Sequence, residues 1–331
     1  MHSKIGVIYN QPDPGRYGDM GEDKAIIGVL DEMDAVHEAL IELGYEVVRL
    51  PLVPPLELAR TELSRLKVDL VFNLFEGFDG RPETEANVAE MLAQFGLPHT
   101  GCPAHVIALA QDKVKTGALL EASGVDVPGY QLLNPETVGE FRLAYPCIVK
   151  PSGEHASHGL SEKSVVNDFA SLEAQVIKVS ELFGGQALVE EFLDGREFNI
   201  TVLGDADLTV LPVSEIVYSL PAAMPRILTF AAKWEPDSLY FQGTKAVCPA
   251  DIGAELNVQI AATARAVFKL FGCRGYARVD MRVGNDNRLK VLELNPNPDI
   301  SPDTGAARQA KAAGLTYSEF IEKIVALALD K

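Results

Sequence analysis

Gly275-Tyr-Ala-Arg278-Val-Asp280-Met-Arg-Val283, Gly284-Asn-Asp-Asn287 and Arg288-Leu-Lys-Val-Leu-Glu293-Leu-Asn295 follow one another without a break. Two β-rich runs flank a Gly/Asn/Asp cluster, the pattern of a hairpin. With Asp286-Asn287 as the central turn residues, Val279 faces Leu294 and Met281 faces Leu292 on an apolar face. The other face sets Arg278 beside Asn295 and Asp280 beside Glu293, because side chains alternate at period 2. Directly opposed carboxylates destabilise a strand pair unless positive charge lies between them. A hard divalent cation with oxygen ligands, Mg²⁺ or Mn²⁺ shared with phosphates, suits Asp280, Glu293 and Asn295. The plainer alternative is a solvated polar strand face.

The rest of the composition bounds the problem. A chain of 331 residues, 47% hydrophobic, is long enough for two or three globular domains. Its formal net charge of −18 argues against nucleic acid or an anionic membrane as the main partner. Cys102, Cys147, Cys248 and Cys273 are too scattered for metal-type pairs and read as reduced thiols of a cytoplasmic protein. The start, Met-His-Ser-Lys before Ile5-Gly-Val-Ile-Tyr9, reads as a strand and not a signal peptide, and no apolar run reaches membrane-spanning length.

From the N-terminus, strands are expected at Lys4–Tyr9, Tyr45–Leu50 and Val68–Asn73, with helices at 23–43 and 56–66 between them. The first helix carries Ile27, Leu30, Met33, Val36 and Leu40 and stops at Gly44. Such alternation implies a parallel, doubly wound sheet whose ligands gather at the carboxyl ends of its strands. The loops 10–22 and Glu76–Arg81 lie at such ends, so Glu76 is a substrate candidate. After a helix at 83–95, Pro98–Pro103 is a turn-rich boundary.

A second unit begins near 104, with a helix at 105–123 containing Asp112-Lys113 and a strand from Tyr145 that ends in Lys150-Pro151. The small, polar run Ser152–Ser161 suits a loop whose N–H groups and hydroxyls wrap phosphate. A helix at 168–182 precedes strands at 187–193 and 197–203, joined across Asp194-Gly195.

Taken together, a helical lysine, a strand ending in Lys-Pro with a Ser/Gly loop, Glu190-Glu-Phe-Leu193-x-Gly-x-Glu197, Arg278-x-Asp280 and Glu293-x-Asn295 resemble the ATP-grasp superfamily. Within it the chain is most similar to D-alanine–D-alanine ligases and their relatives, through Gly101, Asp112-Lys113, Ile148–Ser152, Ala232-Lys233, Cys248-Pro-Ala250 and the final hairpin. The resemblance implies an α/β ATP-grasp fold: an N-terminal Rossmann-like parallel sheet (1–103) and two α+β subdomains (104–186 and 187–331) enclosing ATP. It implies that Lys113 and Lys150 hold the triphosphate from two sides. Glu190 contacts the adenine amino group, the backbone near Leu193 the ring edge, Glu197 the ribose, and Ser157 the phosphates. Lys233, in a mobile segment, closes over the transferred phosphate. Arg278 stabilises developing charge, with Mg²⁺ on Asp280, Glu293 and Asn295.

The implied reaction is amide formation through an acyl phosphate, from a small-molecule carboxylate and amine, by a protein of a family that is often homodimeric. Departures cluster on the substrate side. The first loop lacks the family's Glu-Val-Ser, Glu76 replaces a His, and Pro296-Asn-Pro-Asp299-Ile-Ser301 replaces Thr-x-Pro-Gly-Met-Thr. Glu76, Asp299 and Ser301 are therefore the candidates for substrate contact. Asp299 has two open readings, orienting a substrate ammonium or capping a helix that starts near Pro302. The expected activity is ligation of an amino acid or small metabolite. The alternatives are authentic D-alanine–D-alanine ligation, or an ATP-grasp kinase or ATP-binding module without ligation.

Overall fold

The computed structural model describes residues 3–13, 15, 18, 23–78, 81–153 and 157–329. Much of the expected first loop, Asp79-Gly80 and residues 154–156 of the small polar loop therefore lie outside the described residues.

Strand β1 (Lys4–Asn10) is an almost continuous apolar run buried along its centre, as suits the middle of a parallel sheet covered on both faces. Helix α1 (Asp23–Glu42) follows and ends before Gly44, whose φ of 86° lies where glycine is favoured. Strand β2 (Glu46–Leu52), helix α2 (Leu56–Arg65), strand β3 (Leu70–Leu74) and helix α3 (Glu83–Gln94) complete the unit. The sheet order is β2-β1-β3, all parallel, as the alternation of elements implied. The buried stripe of α1 runs through Val29, Met33, Val36, Ala39 and Leu40. Ile27, expected inside it, is 44% exposed, whereas Glu32 is only 4% exposed.

The helix expected at 105–123 is two helices, α4 (Ala104–Gln111) and α5 (Lys113–Ala122). The cause of the break is Asp112, whose non-helical backbone and side chain cap α5 by accepting the Lys115 N–H. Lys113 is thereby placed at a helix start. Strands β4 (Tyr130–Leu133), β5 (Cys147–Pro151) and β6 (Val165–Val166), helix α6 (Phe169–Phe183) and strand β7 (Ala187–Glu191) form the second unit. Its antiparallel sheet runs β4-β7-β5-β6, and α6 covers one face through Leu172, Val176 and Val179. A capping box of Asp168 and Ser171 starts α6.

The third sheet holds β8 (Glu197–Gly204), β9 (Leu208–Val210), β10 (Ser214–Tyr218), β11 (Thr244–Val247), β12 (Gly275–Val283) and β13 (Leu289–Asn295). Its order is β11-β10-β8-β12-β13, with β9 on β8. Between β10 and β11 lie the short helices α7 (Phe230–Trp234) and α8 (Leu239–Gly243), and α9 (Ala254–Phe271) packs Ile260, Val267 and Phe268 behind the sheet. Helices α10 (Gly305–Ala312) and α11 (Tyr317–Leu329) end the chain. Phe320, Ile321, Ile324 and Val325 of α11 join the core of the first sheet, beside Ile5, Val36 and Leu40. All four cysteines are free. Among the described residues no helix is long and apolar enough to cross a membrane.

The β12–β13 hairpin pairs Arg278 with Asn295, Val279 with Leu294 and Asp280 with Glu293, as its alternation implied. Two details differ. The turn is one residue longer, since Gly284 N–H bonds Arg288 O and Asn287 adopts a left-handed φ of 58°. A bulge beyond Asp280 then pairs Met281 with Val291 instead of Leu292. The two shifts cancel, so the polar face keeps its register while Leu292 is left as the extra residue.

Candidate active site

The polar face of the hairpin is built strand by strand. Antiparallel pairing of β12 with β8 sets Arg278 opposite Thr201, Asp280 opposite Asn199 and Arg282 opposite Glu197. Arg278 grips Asp280 with two parallel hydrogen bonds of 2.7 and 2.8 Å. Burial works against the Arg278 charge, but Asp280 more than offsets it and holds the guanidinium protonated. Burial raises the Asp280 carboxyl above its ordinary range despite Arg278. The Asn295 amide donates to Asp280 Oδ2 (3.1 Å) and Glu293 Oε1 (3.4 Å). A weak positive dipole thus lies between the two carboxylates. Turning that amide over would present three hard oxygen donors to the same point, which suits a Mg²⁺-type ion. Among the described residues, no group of three or more His, Cys, Asp or Glu side chains is arranged for a metal. The set here is two carboxylates and an amide.

A cleft beside this face is lined by Lys113, Gly117, Tyr130, Glu190, Leu292 and Glu293, among others. Lys113 enters it from the start of α5, and Leu292 reaches it because of the bulge. Gly117 lets the Tyr130 ring lie close, since a Cβ there would come within 2.8 Å of it and the ring would have to shift. Glu190 is buried on β7 and pairs with Lys150 of β5, Nζ to Oε2 at 2.5 Å. Burial opposes the Lys150 charge, but Glu190 outweighs it, with help from Glu293 and Glu197, and raises its pKa. Leu193 is buried just beyond β7. Glu197 opens β8, where its Oε2 accepts the Tyr218 hydroxyl at 2.7 Å and meets Arg282 at 3.2 Å. Ser157 takes a φ of 63°, a costly conformation for a non-glycine residue.

Lys233 departs from expectation in its surroundings. It sits on α7, whose start is capped by Thr229, and not on an irregular loop. Phe230 N–H bonds Leu160 O, its ring lies 5.6 Å from that of His158, and Ile227 and Ala232 share an apolar cluster with Ile148. The segment is therefore seated on the small polar loop and β5. Desolvation, then Arg278, lowers the Lys233 pKa against the pull of Glu293, Asp280 and Glu197. Those neighbours place the amine over the hairpin's polar face.

The remaining candidates gather on the other side of Arg278. Asp299 does not cap a helix near Pro302. Helix α10 begins at Gly305 behind Thr304, and Asp299 Oδ1 instead accepts both the N–H (2.8 Å) and the hydroxyl (2.6 Å) of Ser301. A tight Asx turn has replaced the expected cap. Glu76 is reached by solvent yet surrounded by protein; that desolvation, then Asp299, pushes its carboxyl up to about 7. Sequence reasoning missed two further acids. Glu32 of α1 accepts the Ile300 N–H at 2.8 Å and is driven well above its ordinary range by burial, then by Asp299 and Glu76. Glu85 of α3 accepts Gln111 Nε2 at 2.9 Å, and burial, then Glu76, pushes it up to about 8. Glu32 did leave a signal, a charge three residues from Val29 and four from Val36 on the apolar stripe.

The sequence model of the family described as D-ala D-ala ligase C-terminus matches residues 119–326. An uncharacterized protein of Sinorhizobium fredii, y4sG, is 32% identical over 98% of this chain and 92% of its own length. The D-alanine–D-alanine ligase of Haemophilus influenzae is 29% identical over 89% of this chain and 94% of its own. In fold, the chain is similar to the crystal structure of a D-alanine–D-alanine ligase from Bacillus anthracis complexed with ATP. That likeness has a TM-score of 0.75 at 22% identity, over 99% of this chain and 97% of the other.

Proposed function

This chain belongs to the D-alanine–D-alanine ligase family, and from that premise we propose an ADP-forming ATP-grasp ligase that joins a small carboxylate to an amine, acting on an amino acid or small metabolite other than a pair of D-alanines. The observation that carries the reading is the single face on which Lys150, Lys233, Arg278, Asp280, Glu293 and Asn295 act on one another, next to the cleft of Lys113 and Glu190. Cations of this kind around a carboxylate pair form an electrostatic clamp for phosphoryl transfer.

In the proposed reaction a substrate carboxylate oxygen attacks the γ-phosphorus, the bond to ADP breaks, and an acyl phosphate forms. The amine then adds to the acyl carbon and gives up a proton, the acyl C–O bond breaks with its electron pair going to the departing inorganic phosphate, and an amide remains. Lys113 and Lys150 neutralise the nucleotide phosphates, Ser157 adds loop contacts, and Glu190 with the Leu193 backbone seats the adenine. Asp280, Glu293 and Asn295 would hold Mg²⁺, which when bound neutralises phosphate charge. Arg278 stabilises charge on the transferred phosphate or the tetrahedral oxygen. Lys233, lying over the same face, closes the site against water, to which an acyl phosphate would be lost.

The acids beyond Arg278 support an ammonium-bearing substrate. Asp299 holds Ser301 through Oδ1 and also hydrogen-bonds Glu32, whose burial favours the neutral acid. Glu76 lies on the same side, so the group offers several oxygen acceptors to an ammonium. The domain limits at 103/104 and 186/187, a cytoplasmic setting and a homodimer complete the proposal. Its test is a screen of ADP release against paired carboxylates and amines, with D-alanine as one pair. Turnover only with D-alanine on both sides would return the chain to authentic D-alanine–D-alanine ligation.

A further inference from the structure

Arg282 is a fully engaged, buried arginine that the reaction above does not use. Its side chain is 6% exposed and shares an ion pair with Glu197, itself 13% exposed. Nε donates to Gly195 O at 3.1 Å, and Nη2 donates to Arg226 O. The guanidinium also lies 5.6 Å from the Phe192 ring and 5.7 Å from that of Tyr218. Gly195 permits this arrangement, since any Cβ there would lie 2.2 Å from Val283 O. The turn between β7 and β8 can thus lie directly on β12.

Among the described residues, the hydrogen-bond and ion-pair partners of the Glu197 carboxylate converge on one atom. Arg282 Nη1 and the Tyr218 hydroxyl meet Oε2, at 3.2 and 2.7 Å, from the strands on either side of β8. A carboxylate held this way cannot turn about its last bond without losing both partners, so its second oxygen keeps one direction. We infer that Arg282 is a positioning residue: with Tyr218 it occupies Glu197 Oε2 and presents Oε1 to accept a ribose hydroxyl of the nucleotide. This rests on the reading of Glu197 as the ribose carboxylate. It adds that ribose selectivity is set one residue further out, by a cation that also ties the Asp194-Gly195 turn and Arg226, ahead of α7, to the same sheet.

The test is a binding comparison of ATP with 2′,3′-dideoxy-ATP, on the full chain with Mg²⁺ present. A hydrogen bond to a charged acceptor is worth roughly ten- to a hundredfold in affinity, and the wild type should prefer ATP by at least about tenfold. In Arg282→Met, ATP affinity should fall toward that of the dideoxy nucleotide, whose own affinity stays within about twofold, so the ratio collapses. Tyr218→Phe keeps the ring and removes one donor; it should lower the ratio by a smaller factor even if Arg282→Met does not fold. Arg282→Lys should restore part of the ratio, because the charge returns without the planar fork. Equal weakening of both nucleotides in Arg282→Met and Tyr218→Phe, or an unchanged ratio in both, overturns the inference while leaving Glu197 as the ribose carboxylate. A wild type that does not distinguish the nucleotides overturns that reading of Glu197 and the inference with it.

Discussion

Replacing Glu85 by Gln should make the chain more stable, and the gain should grow with pH. Glu85 is 8% exposed and its carboxyl is pushed up to about 8 from an ordinary value of 4.5, by burial first and Glu76 second. A raised acid holds its proton in the folded state after the unfolded chain has released it. Stability from this group is therefore fully present below pH 4.5 and lost as pH rises toward about 8. The gap between 4.5 and about 8, at about 1.4 kcal/mol per pH unit, amounts to about 5 kcal/mol, most of it lost between about pH 5 and 9. Gln removes the titration but keeps a carbonyl for Gln111 Nε2, so the hydrogen bond at 2.9 Å survives. The assay is thermal melting of wild type and Glu85→Gln at steps from pH 5 to 9, without nucleotide. The curves should nearly meet at pH 5 and separate by roughly 8 °C at pH 9, taking roughly 2 °C per kcal/mol for a chain of this size. A separation that stays constant with pH would refute the argument that Glu85 is a neutral acid in the folded chain.

Three further outcomes are expected. Glu293→Gln should keep the melting temperature and lower turnover by roughly a hundredfold or more, because one charged Mg²⁺ ligand becomes neutral; near-normal ADP production at limiting Mg²⁺ contradicts it. Lys150→Ala should weaken ATP binding by roughly tenfold or more and leave Glu190 without its buried partner, whereas Lys233→Ala should lower mainly the rate. Equilibrium ATP binding and single-turnover rates separate the two, and the reverse pattern exchanges their roles. Asp299→Asn keeps an acceptor for Ser301 but loses the charge, and should raise the Michaelis constant for the amine by roughly tenfold. An unchanged constant removes Asp299 from substrate recognition.

What the sequence revealed, and what it hid, follows the range of the interactions. Arg278, Asp280, Glu293 and Asn295 were legible because strand alternation and one turn decide which side chains share a face. Leu292 was not, because a bulge changes the register by one residue without changing the apolar pattern around it. The division at Asp112 was written in a local cap, but a continuous helical stripe concealed it. Asp299 mimicked a helix cap because an Asx turn uses the same side-chain acceptor. Glu32, Glu85 and Arg282 draw their meaning from Ile300, Gln111 and Glu197, residues far away in sequence that only the packed fold brings to them.

The most direct measurement of the central claim is a product balance on purified chain given ATP, Mg²⁺ and the carboxylate–amine pair selected by ADP release. Mass spectrometry should find amide, ADP and inorganic phosphate formed in equal amounts, and the amide should vanish when either organic substrate is left out. ADP accompanied by a stable phosphorylated product, or ATP bound without turnover across the whole screen, would contradict ligation and point to a kinase or an ATP-binding module.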